Sequence, residues 1–111
     1  MSRQITEKSE TRRLTSIYEN LPPKQFALAQ GLIAQAARIR VNLNALAADI
    51  AENGMTELFQ QSDKVQPYMK TRPEADLFIK LDKNYQSIIR QLNEMIQDDI
   101  EPEDDLSEFR K

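Results

Sequence analysis

A mainly all-α chain follows from three features of this 111-residue sequence: two long runs of apolar residues at helical spacing, abundant alanine in the first run, and only two glycines. Together they predict two long antiparallel helices and a short N-terminal helix, with a small β-hairpin between the long helices. The apolar faces are wide enough to call for oligomeric assembly.

The first helix is expected over 6–20, where Leu14, Ile17, Tyr18 and Leu21 make a short stripe. Pro22-Pro23 ends it, because the residue before a proline avoids the α region. Between Met1 and Leu14 only Ile5 is apolar, so the opening turns should fray, and residues 1–13 read as a polar, flexible N-terminus. The main helix should run from Lys24 to Asn53. Pro23 suits its first turn, and Gly54 can adopt the left-handed conformation that closes it. Leu28, Leu32, Ala36, Ile39, Leu43, Leu46 and Ile50 recur at steps of three and four, the period of one helix face. Alanines flank that stripe and permit close approach by other helices.

A second long helix is expected over Pro73–Gln97, with Glu74 and Asp76 placed to complement the dipole at its start. Phe78, Leu81, Tyr85, Ile88, Leu92 and Met95 step 3-4-3-4-3, and Ile89, Ile96 and Leu77 broaden that seam. Between the long helices, residues 54–72 lack a helical period. Their apolar residues fall in two clusters around Gln61-Ser62-Asp63-Lys64, which predicts a hairpin pairing 56–60 with 65–69. Pro67 would restrict its strand to an edge.

Charge divides the chain further. The whole carries 15 Lys+Arg and 18 Asp+Glu, a net of −3. Residues 98–111 hold seven acids and two bases, a net of −5, and read as an acidic disordered tail. The other 97 residues therefore carry +2. The helical core and oligomerisation domain is assigned to 14–97.

Composition narrows the function. With no Cys and no His, thiol nucleophiles, imidazole bases and zinc-finger or iron–sulfur sites are absent. Two glycines build neither a P-loop nor a dinucleotide fingerprint. Asp49, Asp76, Asp82 and Glu94 are scattered over predicted outward faces, and the tail acids match no calcium loop. The expectation is a non-enzymatic protein with no catalytic residues, no metal site and no cofactor. No apolar run approaches the roughly 20 residues that cross a bilayer, so no membrane partner is expected.

The basic candidates for DNA contact are Arg12, Arg13, Arg38, Arg40, Lys64, Lys70 and Arg72. In a single copy such residues are ordinarily solvated charges, and phosphate contact becomes substantial when several copies add theirs. Oligomerisation is assigned to Leu28, Leu32, Ile39, Leu43, Leu46 and Ile50 on the first long helix, and to Phe78, Leu81, Tyr85, Ile88 and Leu92 on the second. The plainer reading of both stripes is packing within one protomer. In the tail, Leu106 and Phe109 are three residues apart among acids, as in segments that fold onto a partner's groove.

The run Glu52-Asn53-Gly54-Met55-Thr56-Glu57-Leu58-Phe59-Gln60-Gln61-Ser62, then Gln66-Pro67-Tyr68, Arg72-Pro73 and Lys83-Asn84-Tyr85-Gln86-Ser87-Ile88-Ile89-Arg90-Gln91-Leu92, resembles the small terminase subunits of tailed bacteriophages. The resemblance covers about residues 24–97. One departure is that Met95-Ile96-Gln97 runs straight into acids, where many of those proteins have a Gly-Leu-Thr-Pro-like stop. The resemblance implies a ring-forming homo-oligomer in the cytoplasm of an infected bacterial host. It would bind double-stranded viral DNA and engage the terminase large subunit, which supplies ATPase and nuclease activity, through Leu106 and Phe109. The rival expectation is a small helical adaptor or inhibitor that binds one protein partner as a dimer without touching DNA.

Overall fold

The computed structural model describes residues 4–99. In chain order they form α1 (Glu7–Tyr18), α2 (Pro23–Asn53), β1 (Thr56–Phe59), β2 (Tyr68–Thr71) and α3 (Pro73–Asp99). The expected helical order is present, with α2 and α3 of 31 and 27 residues.

α1 starts at Glu7, inside the segment expected to fray. A capping box holds it: the Thr6 hydroxyl accepts from the Ser9 amide at 3.0 Å, and the Thr6 amide donates to Ser9 Oγ at 3.1 Å. Two of the orphan amides at the helix start are thereby satisfied without any apolar anchor. α2 begins with Pro23 at its first position, where a missing N–H costs nothing. It ends at Gly54, whose φ of 83° favours glycine and whose amide donates to Ile50 O at 2.7 Å.

The helices pack as a bundle of unequal depth. Arg72, just before α3, meets Asp49 near the end of α2, while Arg40 lies over Tyr85, and Ala29 and Ile33 share a core with Leu92. α2 and α3 are therefore antiparallel. Arg13 reaches Tyr85 and Tyr18 reaches Asn93, so α1 runs alongside α3 in the same direction. Three helices thus surround one core of Leu14, Tyr18, Leu21, Ala29, Ile33, Ala36, Ile88 and Leu92.

The α2 stripe differs from expectation at this end. Ala29, Ala36 and Ala37 are fully buried beside Ile33, whereas Leu28 is 67 % exposed. Two helices converge on α2 here, and only small side chains let both approach closely. The buried arc is centred on alanines, and Leu28 falls just outside it.

The hairpin has a different register from the one expected. Thr56, Glu57, Leu58 and Phe59 pair with Thr71, Lys70, Met69 and Tyr68, not with a strand over 65–69. Pro67 has no N–H to give a ladder, and the strand begins immediately after it. The ladder is extended by the Arg72 amide, which donates to Met55 O at 2.8 Å. Residues 60–67 form the tip, where the Gln60 side chain donates to Val65 O at 2.9 Å.

The described chain measures 72 × 36 × 24 Å, with a radius of gyration of 20.5 Å, against about 13 Å for a compact domain of similar length. α2 spans about 46 Å of the long dimension.

Candidate functional site

The seven basic candidates do not form one patch. Arg13 and Arg40 converge on Tyr85: the Arg13 guanidinium donates to its hydroxyl at 3.4 Å, and Arg40 lies 5.7 Å from the ring centroid. Arg13 also holds Glu10 at 2.9 Å, and that carboxylate is only 6 % exposed. The hydrogen bond to Glu10 raises the Arg13 pKa and keeps the guanidinium protonated, and the ion pair offsets its charge before any phosphate arrives. Arg12 and Arg38 are exposed.

Lys64 and Lys70 belong to the hairpin. Lys64 is exposed at the tip, and Lys70 Nζ lies 4.2 Å from the Phe59 ring centroid, opposite Glu57 in the ladder. Phe59 meets Tyr68 edge to face at 5.6 Å. This face of the sheet is consequently knitted together by cation–π and aromatic contacts.

Arg72 is a clamp. Its side chain is 12 % exposed and bonds Gly54 O at 2.6 Å and Asp49 at 2.8 Å, with Glu74 at 3.4 Å. One guanidinium fork thereby ties the end of α2, the base of the hairpin and the start of α3. The hydrogen bonds from Arg72 and then Asn53 hold the Asp49 carboxyl below the ordinary carboxylate range. Arg72, expected to meet DNA, is mostly buried and has both of its terminal nitrogens engaged within the chain.

The stripe residues divide in the same way. Leu43, Ile88 and Leu92 are buried inside the single chain. Leu32, Ile39, Leu46, Ile50, Phe78, Leu81 and Tyr85 are half-buried, and Leu28 is open. Leu106 and Phe109 lie outside the described residues. Sequence reasoning missed Glu10, the Asp49–Arg72–Glu74 clamp and the Tyr18–Asn93 hydrogen bond of 2.8 Å. Only the capping box ahead of Glu10 was readable as a spacing, Thr6-x-x-Ser9.

An open trough of about 480 Å³ runs along α3 beside Tyr85, Ile89, Arg90 and Asn93. Among the described residues, no cluster of three or more acids could hold a metal ion, and no helix is long and apolar enough to cross a membrane. No family model matches the chain, and no curated protein or solved structure is similar to it.

Proposed function

We propose that this chain is a non-enzymatic small subunit of a phage terminase, which assembles with copies of itself, binds viral DNA and engages the large ATPase/nuclease subunit. The observation that carries the reading is the elongated protomer with apolar side chains left open along it. Ile17, Leu28, Leu58, Met69, Leu77 and Ile79 are all 45 % exposed or more, an arrangement typical of surfaces that another chain covers. The resemblance in residues 24–97 supplies the identity of the machine.

Within this reading Arg12, Arg38 and Lys64 are the foremost DNA contacts, because their side chains are exposed and no hydrogen bond or ion pair engages them among the described residues. A few phosphate contacts per protomer are weak, and repetition in an assembly multiplies them.

The test is the solution mass of the 12.9 kDa chain, by light scattering after size exclusion, followed by DNA retention at rising salt. A closed oligomer that holds DNA at low salt and loses it steeply is expected. A species of one or two chains that ignores DNA would overturn the reading. The adaptor reading has its own support, since Leu43, Ile88 and Leu92 are used up inside the protomer. Capture of the large subunit by the full chain, lost on truncation after Gln97, would support the docking role of Leu106 and Phe109.

A further inference from the structure

The hairpin has two unlike faces. Strand alternation puts Glu57, Phe59, Tyr68 and Lys70 on one, and Thr56, Leu58, Met69 and Thr71 on the other. The first has its aromatic and cation–π contacts. The second carries no charge, and its central cross-strand pair is bare, with Leu58 68 % and Met69 60 % exposed. An isolated two-stranded sheet is marginal in water, so an open apolar pair at its centre needs a cover.

Two candidate covers fail on charge or reach. Residues 55–71 hold Glu57, Asp63, Lys64 and Lys70, a net of zero, so a phosphate backbone has little to hold there. The chain's own C-terminal segment starts at the far end of α3, about 40 Å from the hairpin. Leu106 and Phe109, seven and ten residues beyond Asp99, reach at most about 25 and 36 Å when fully extended. An uncharged face flanked by threonines is, by contrast, complementary to itself.

We infer that the Thr56/Leu58/Met69/Thr71 face packs against the same face of a second copy of this chain. Two hairpins stack about 10 Å apart, as sheets do, with Leu58 and Met69 of each against those of the other. The contact is two-fold, so alone it makes pairs, and closing a ring falls to other surfaces. The inference shares self-association with the reading above, and depends on neither DNA nor a ring.

The test uses the full chain. Native mass spectrometry and sedimentation would compare wild type with Leu58→Lys, Met69→Lys and, as a control at an exposed polar position at the other end of the rod, Gln30→Lys. Circular dichroism would check that the helices persist. Because the chain has no cysteine, Leu58→Cys also accepts a single spin label. The expected result is an associating wild type whose mass falls to half or less in Leu58→Lys and Met69→Lys and is unchanged in Gln30→Lys. Strong dipolar coupling between labels on different chains should accompany it. A wild-type pair that Leu58→Lys dissociates would support the inference while removing the ring. A many-membered wild type whose mass ignores both hairpin variants, with uncoupled labels, would overturn the inference and leave the ring standing. A wild type that stays monomeric at every concentration would also overturn it, assigning the face to a different protein.

Discussion

The two ends of this molecule solve the burial problem differently. At one end α1, α2 and α3 enclose Leu14, Ile33 and Leu92, each at most 2 % exposed, with alanines in the contact. At the other, two helices and a hairpin leave Met55, Leu58, Val65, Tyr68, Met69, Leu77 and Ile79 exposed. Apart from Ile17 and Leu28, the same kinds of side chain are thus structural at one end and surface at the other. A third helix makes the difference, because two helices cannot surround a wide apolar face. Stability should accordingly reside in the bundle, and association in the hairpin end.

The sharpest way to break that contrast is to delete apolar volume at each end. Leu92→Ala should cost about 2–5 kcal/mol, read as a lower urea midpoint, while Leu58→Ala should change the unfolding of the isolated protomer by less than about 0.5 kcal/mol. Equal losses would refute the division.

Overfilling probes the alanine contact. Ala36→Leu, at a fully buried position, should destabilise by about 1–3 kcal/mol because α1 or α3 must move off α2. Calorimetry would show it as a lower Tm. No change would mean the helices are loosely packed there.

The capping box gives a smaller effect. Thr6→Ala removes the acceptor for the Ser9 amide and should cost about 1 kcal/mol. The loss should show as faster amide exchange in the first turn of α1, including Ser9.

The smallest effect concerns the clamp that joins the two ends. Asp49 has a folded pKa below its ordinary value. Its contribution is whole above about pH 3.9, the unfolded value, and is lost as pH falls from there through the lower folded value. Amide shifts of Gly54 and Arg72 should move in that acid window, and Asp49→Asn should abolish the movement. Persistence of the transition in Asp49→Asn would assign it to another carboxyl.

Much of the fold was legible because it rests on local signals. The Pro22-Pro23 break, the Gly54 stop and the 3-4 spacing from Phe78 to Met95 each state their structure in neighbouring residues. The α1 start was also local, but its signal was polar, and a search for apolar residues passes over Thr6 and Ser9. The hairpin's existence was legible and its register was not: clusters of apolar residues mark strands, whereas pairing depends on where Pro67 leaves a donor out of the ladder. The candidate site was less legible. The basic residues could be named, but whether an arginine is spent on a carboxylate depends on residues as far away as the 23 positions between Asp49 and Arg72.

The sequence by itself determined three helices in order, the turn residues between them and an inventory without Cys or His, since helical period, breakers and residue inventory are properties of short stretches. Tertiary structure alone decided which apolar side chains are core. Leu28 and Ala29 are neighbours on one helix, and only the approach of α1 and α3 leaves the leucine open and buries the alanine. It likewise decided that Arg72 is a clamp while Arg38 faces solvent. Burial and charge pairing are relations between distant segments, and they come into being when the helices meet.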